Sequence, residues 1–537
     1  MARAVDIDGL KLDAIFAELD QTQRPGAAVG IALGSKPVYR RGFGLANMEL
    51  PLALAPSMRL RIGSTSKHFT ALAYLLLCEA GQAHVDDPIV KYLPELHPVT
   101  HAITMQQLMA HVSGLRDAHE IAWQLSGSHP QVSSRELLSM YQGMDEVNAA
   151  PDTAWSYNNG GYLILSAVIE RITGQSLEDV LRTCIFEPVG MFDTLLRRRD
   201  CDFVANSATL HATNVAGDYE KSYLGTALAG EGGVVSTVDD MLRWLAHMDA
   251  PKVGGAATWL ALKSPHTLRN KTSTGYGLGL INGEYRGIET LSHGGGVLGG
   301  NSQMLKVPAA GLDVVVMSNR DDISSTVFAN RILDTCIADL EPVDATNHAS
   351  FARGIFHSVS SGRVIQLFEK DGQQTVSVDG FDWAFVRHSD GVLRPAAIWS
   401  FIKQSVTLVG DQEHPTSIRF DDFGNFDELT AQRPSTPSDG DRNSDDNAIA
   451  GRYRSECTRT DAQVSKSDDG IHVTMHGPFG SMVYPLECLA DGLWLAKSGK
   501  AIPWNAVLSF DSGESAFRLS SLRNRGLSFR RISRSSA

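Results

Sequence analysis

The chain of 537 residues predicts an α+β domain followed by two small antiparallel β-barrel domains. Three observations carry this. Hairpin patterns stand at both ends of roughly the first 335 residues, with helical patterns between them. From about residue 350 the helical patterns stop, and short strands split by Asp-Gly and Gly turns take over. Two stretches of linker composition, Pro342–Ser350 and Arg433–Asn447, separate the parts. The expected boundaries are 1–338, 350–430 and 449–537. A chain this long exceeds one ordinary domain.

Taken in order, Val29–Leu33 and Val38–Gly44 read as the first hairpin. Helices are expected over 67–80, 104–111, 161–173, 176–184 and 238–248. A second hairpin pairs Asn301–Val307 with Leu312–Asn319 across Pro308-Ala309-Ala310-Gly311. The two hairpins are expected to meet in one antiparallel sheet. Beyond the first linker, Val364–Phe368 and Thr375–Val378 are strands, and so are Ile471–Met475 and Ala516–Leu519 in the last part. The two tails open alike, at Ala352-Arg353-Gly354-Ile355-Phe356 and Ala450-Gly451-Arg452-Tyr453-Arg454, as two related barrels would.

Composition removes several function classes. A net charge of −13 argues against nucleic acid, whose phosphates need a basic surface, and mildly favours cationic substrates. The amino terminus lacks the apolar core of a secretory signal, and no apolar run is long enough to span a bilayer. The six cysteines are scattered without metal-ligand spacing. A cytoplasmic protein with no metal, no cofactor, no nucleic acid and no membrane partner is expected; a homodimer is compatible with the sequence.

Chemistry concentrates in three places. Ser64-Thr65-Ser66-Lys67 opens an apolar helical segment. Residues three apart share a helix face, so the Lys67 amine can reach the Ser64 hydroxyl. A buried lysine favours its neutral form and can accept the serine's proton. The second place is Trp155-Ser156-Tyr157-Asn158-Asn159-Gly160-Gly161, ahead of a helix. There Tyr157 can relay a proton and Asn159 can hold a substrate carbonyl; the plainer reading is an asparagine that caps the helix. The third, Ser292-His293-Gly294-Gly295-Gly296 with Gly299 and Gly300 beyond, is costly for an ordinary strand and implies close approach of a ligand or another backbone.

In that order, Ser64-x-x-Lys67, Tyr157-x-Asn159 and His293-x-Gly295 resemble the motif set of the serine β-lactamase and penicillin-binding protein superfamily, nearest its class C-like branch. Leu108–Leu115, Gly232–Asp240 and Tyr276–Leu280 agree with that branch. The resemblance covers roughly residues 10–335. It implies a sheet flanked by helices beside an all-helical region, with the site between them. Ser64, Lys67 and Tyr157 would be catalytic, Asn159, His293 and Gly295 would bind substrate, and Gly295 would let the substrate backbone come close. His293 stands where the superfamily usually has lysine. An uncharged imidazole there weakens the readings that need a carboxylate partner, β-lactams and D-Ala-D-Ala ends.

With two barrels appended, the architecture is similar to that of the bacterial D-aminopeptidase family, in which a loop of the last domain enters the cleft and favours free amino termini. The resemblance implies removal of N-terminal D-residues such as D-alanine from peptides, amides or esters. The loop would be His476–Gly480 or the stretch near Asp491, whose carboxylate would pair a substrate ammonium. Asn282 and Glu284 are further rim candidates. The alternatives are a carboxylesterase of the same fold and a non-catalytic penicillin-recognising sensor.

Overall fold

The strand Leu312–Ser318 is apolar on both sides, so it needs cover on both faces. Leu312, Val314 and Val316 join one buried cluster, while Val315 and Met317 join another. In the computed structural model, which describes residues 3–342, 350–396, 402–433, 448–499, 502 and 504–534, this strand lies inside a six-stranded antiparallel sheet. We label its strands β1 (Ala27–Leu33), β2 (Lys36–Phe43), β3 (Ile281–Tyr285), β4 (Ile288–Val297), β5 (Gly300–Val307) and β6 (Leu312–Ser318). Their spatial order is β3-β4-β5-β6-β1-β2. The two sequence-predicted hairpins are therefore joined, with Ala27 opposite Ser318 and Leu33 opposite Leu312.

One face of the sheet is covered by α1 (Gly9–Ile15) and by the helix Ser325–Cys336, which brings Phe328 and Ile332 onto Val29 and Ile31. The other face is covered by the helix Val238–His247. Beyond it lies the helical region. Its central pair is α2 (Lys67–Glu79), buried from Lys67 to Leu75, and α4 (Asn159–Thr173); α3 (Ala118–Ser126) packs beside α4. The expected helices at 67–80, 161–173 and 238–248 are present within two residues. That at 104–111 is shorter, Met105–Met109: Thr104 and Gln107 form a capping box at its start, and His111 adopts a left-handed φ of 60° just past its end.

The last 180 or so residues form two closed antiparallel barrels of eight strands each, from Gly354 to Gln432 and from Gly451 to Arg534. Closure leaves neither barrel an open edge. The matching openings are both first strands, Gly354–His357 and Gly451–Ser455. Of the two expected linkers, 343–349 and 434–447 lie outside the described residues. Among the described residues no helix is long and apolar enough to cross a membrane.

Both barrels send hairpin turns onto the α+β domain. In the first barrel, β7 (Pro415–Asp422) turns into β8 (Asn425–Gln432). The turn lays the Phe423 ring 5.1 Å from that of Trp155, and its Phe423 carbonyl accepts from Asn270. In the second, β9 (Ala516–Ser521) turns into β10 (Asn524–Arg534), and this turn enters the helical region beside α3. The barrels are tied to each other near these tips. Asp422 accepts from buried Arg363 at 2.8 Å and from Arg525 at 3.4 Å, while Gln404 donates to its other oxygen. Replacing Asp422 with Asn removes the counter-charge of a buried guanidinium. It should cost about 3 kcal/mol, read as a lower denaturant midpoint at unchanged slope in the full chain.

Candidate active site

Ser64 does not sit in the α-helix itself. Residues Gly63–Ser66 form a 3₁₀ turn that runs directly into α2 at Lys67. In a 3₁₀ turn side chains three apart eclipse, so the reach expected of a helix face is kept and tightened. Lys67 Nζ lies 3.1 Å from Ser64 Oγ, 2.8 Å from Asn159 Oδ1 and 2.6 Å from the Glu231 carbonyl. No carboxylate lies within ion-pair distance of it among the described residues. Burial pulls its pKa down to about 7; Glu231 and Asp117 oppose this at longer range, and the positive Arg523 assists. A neutral amine donates two hydrogens, which suit Asn159 Oδ1 and the Glu231 carbonyl. Its lone pair then faces the Ser64 O–H. Ser64 keeps partial access to solvent while Lys67 has none.

Two glycines set where Ser64 stands. Gly63 has φ +52°, and a Cβ there would lie 2.8 Å from the Gly296 nitrogen. A Cβ on Gly295 would lie 1.8 Å from the Ile62 carbonyl oxygen. The close approach that the glycine run predicted is made, at Gly63 and Gly295, between two stretches of this chain's own backbone. Thr65 Oγ1 donates to the His293 carbonyl at 3.1 Å, and Ser302 Oγ donates to the Ile62 carbonyl, which closes the seam. Along a strand, alternate residues present their N–H and C=O to the same edge. β4 pairs His293 with Met304 and Gly295 with Ser302, and its two hairpins close at Tyr285–Ile288 and Val297–Gly300, so the Gly295 N–H faces β5 while the N–H groups of Gly294 and Gly296 face the opposite edge, beyond the last β3 partner Ser292.

His293 is buried and receives a hydrogen bond from Tyr276: its Nδ1 faces the Gly294 carbonyl at 2.6 Å and must carry the hydrogen, so Nε2 accepts from the Tyr276 hydroxyl at 2.9 Å. Burial, then the Lys67 charge, lowers its pKa to about 3. It presents an uncharged ring at pH 7. Tyr157 lies under Lys67, with Nζ 4.7 Å from its ring centre, and His111 backs the ring at 4.3 Å. Its buried hydroxyl has no formed hydrogen bond. Burial raises its pKa, and nearby Ser64 partly offsets the rise. The two readings of the Asn pair are divided between neighbours. Asn158 caps α4 by accepting from the Gly161 N–H, and Asn159 turns into the site. Since Lys67 occupies its Oδ1, the amide nitrogen is what Asn159 can offer a substrate carbonyl.

Several polar groups of the site were not singled out from the sequence. Asp117 caps α3, and its Oδ2 also accepts from the Asn159 N–H at 3.0 Å and from Arg523 at 3.3 Å. Glu231 accepts from His119 Nε2 at 3.1 Å and from the Ala229 N–H, while its own carbonyl holds Lys67. Glu120, wholly buried, has its pKa pushed up to about 7 by burial, with Arg523 opposing. Only Glu231 had a local signal, standing at the head of the Gly232–Asp240 segment.

The turn of the last barrel that reaches the site is the one between β9 and β10, not either loop expected from the sequence. Arg523 lies there, its guanidinium 5.0 Å from the Tyr157 ring centre. His476–Gly480 packs instead on the end of α3, where Gly477 and Gly480 meet Leu125 and Ser126. Asp491 is exposed in the turn between the strands Ser481–Ala490 and Leu493–Ala496. Asn282 donates to the Lys263 carbonyl, and Glu284 stands on the edge strand β3.

Comparison with known proteins agrees with this arrangement. The Beta-lactamase family matches residues 12–336. A D-aminopeptidase of Brucella melitensis biotype 1 is 25% identical over 509 residues, which are 91% of each chain. Among solved structures, a penicillin-binding protein homologue from Pyrococcus abyssi superposes with a TM-score of 0.57 at 20% identity, over 79% of this chain and 100% of its own. D-amino acid amidase from Ochrobactrum anthropi SV3, in complex with L-phenylalanine amide, gives 0.52 at 22% identity, over 60% and 97%.

Two outcomes are expected of this geometry. If neutral Lys67 is the base, kcat/KM for an ester that carries no amino group rises with pH, half-maximal near pH 7, and then levels, because Tyr157 titrates far higher and His293 far lower. A pH–rate profile checks this. Gly295→Ala must push the Ile62 carbonyl, and Ser64 with it, out of place; turnover should fall by about 10²-fold with the fold intact by circular dichroism.

Proposed function

Since the chain belongs to the β-lactamase family, we propose that it is a serine hydrolase that removes N-terminal D-amino acids, D-alanine-like, from peptides, amides or esters through an acyl-enzyme. One observation carries the chemistry: the buried amine of Lys67 lies 3.1 Å from the Ser64 hydroxyl with only neutral groups as hydrogen-bond partners. Ser64 Oγ attacks the substrate carbonyl carbon, and its proton passes to Lys67 Nζ. The oxyanion is met by the backbone N–H groups of Ser64 and of the strand next to Gly295, at Gly296. Collapse breaks the carbonyl–nitrogen bond. The leaving nitrogen takes the proton from Lys67 by way of Tyr157. Water then attacks the Ser64 ester, the same base accepts its proton, and the acid leaves with Ser64 restored.

The substrate class is supported from two sides. A D-aminopeptidase is similar along 91% of the chain, through the barrels as well as the first domain. The uncharged His293 provides no fixed cation for a substrate carboxylate, which disfavours β-lactams and D-Ala-D-Ala ends. Beside Ser64 and Lys67 stand three carboxyl groups, Asp117, Glu120 and Glu231, of which the first two flank the guanidinium of Arg523. This acidic balance suits a cationic amino terminus better than an anionic substrate.

A panel of D-Ala and L-Ala p-nitroanilides, N-acetyl-D-Ala p-nitroanilide, a simple p-nitrophenyl ester and a cephalosporin tests the assignment. The D-Ala anilide should be cleaved best, and N-acetylation should abolish cleavage. Preference for the simple ester over every anilide points to the carboxylesterase instead. Ser64→Ala should remove turnover and the acyl adduct on intact mass; residual turnover above about one part in 10³ would end the nucleophile assignment.

A further inference from the structure

The reaction as written gives no task to Arg523, although this residue comes from the far end of the chain to the catalytic tyrosine. Its guanidinium lies on the Tyr157 ring and 5.4 Å from the centre of the Trp504 ring. It donates to Asp117 at 3.3 Å and stands 3.8 Å from Glu120. Its backbone is pinned as well: the Arg523 N–H donates to Glu120, and the Arg523 carbonyl accepts from Asn148 at 2.6 Å. On either side, Ser521 donates to Glu120 and Asn524 accepts from the Asp117 N–H. Arg523 thus shares Asp117 with the backbone of Asn159, whose side chain holds Lys67. A side chain held by so many contacts has one orientation, and its charge is fixed rather than mobile.

We propose that Arg523, carried by the turn between β9 and β10, is a positioning residue of the reaction: laid on Tyr157 and braced by Asp117 and Glu120, it completes the site from the last barrel and keeps Lys67 in its working charge state. The groups facing the Lys67 amine are Glu231 and Asp117, which favour its protonation, and Arg523, which opposes it. Tyr157, Tyr162, His111 and His293 face it as uncharged rings. Removing the guanidinium removes the one fixed positive charge in this set, so the lysine should gain a proton at higher pH.

This inference rests on the Ser64–Lys67 reading but not on the substrate class, and the test follows that division. Ser64 is labelled with an alkyl fluorophosphonate from pH 5 to 9 in the full-length protein, and the adduct is located by peptide mass spectrometry. In R523Q the acidic limb of the labelling rate should move up by about half a unit, so labelling at pH 6 falls about threefold beyond any change in the plateau. R523K keeps a charge but not the flat stack; its limb should stay where the wild type has it while the plateau drops. An unmoved limb in R523Q, whatever its plateau, overturns the proposal, and so does a limb that moves equally in both variants. If near-UV circular dichroism finds R523Q unfolded, R523K alone decides: a held limb with a lowered plateau supports the role, and a moved limb or unchanged plateau overturns it. Absence of any Ser64 adduct in the wild type instead removes the nucleophile reading itself, and this inference with it.

Discussion

The site depends on one amine taken out of water without a counter-charge. Lys67 is fully buried, and its three partners are a serine hydroxyl, an amide oxygen and a peptide carbonyl. An ionised partner in that place would hold the proton on nitrogen. The carboxylates nearby are kept off it: Glu231 turns its side chain to His119 and the Ala229 N–H while giving Lys67 only its backbone. Asp117 is shared between α3, Asn159 and Arg523. The same dehydration keeps Tyr157 protonated and His293 uncharged, so one physical cause sets three protonation states.

Packing of backbone on backbone places Ser64. Side chains at Gly63 or Gly295 would separate the 3₁₀ turn from β4, and the serine would lose both its position and the neighbouring N–H. The tyrosine loop is held differently, from outside. Phe423 of the first barrel lies on Trp155, and Arg523 of the second lies on Tyr157. The two tips are joined behind it through Arg525 and Asp422. The barrels are thus part of the wall of the site rather than separate appendages.

What the sequence disclosed follows the range of the interactions. Ser64 and Lys67 are three residues apart, so spacing alone predicts their contact. The paired hairpins, the helix beginning at Lys67 and the short-strand patterns of the two barrels are also local signals, and they match. The role of Gly295 was half legible: a glycine run announces close approach, but only the fold identifies Ile62 as the neighbour. Arg523 was not legible. Nothing in Ser521–Gly526 distinguishes that turn from His476–Gly480 or from the turn at Asp491, because what selects it is closure of a barrel and docking onto α3. Asp117 and His119 were hidden for the same reason: their partners lie at Asn159, Asn524 and Glu231, far along the chain.

The contact between Ser521 and Glu120 joins residues 401 positions apart. Loops of that length close late, and synthesis delivers the amino-terminal partner long before the other. During translation the serine and lysine emerge first and can form their local turn while the wall beside the tyrosine is still missing. The ribosome must deliver residue 526 before that wall can be built. An unfinished polypeptide therefore holds Ser64 and Lys67 before the turn that carries Arg523 onto Tyr157 exists.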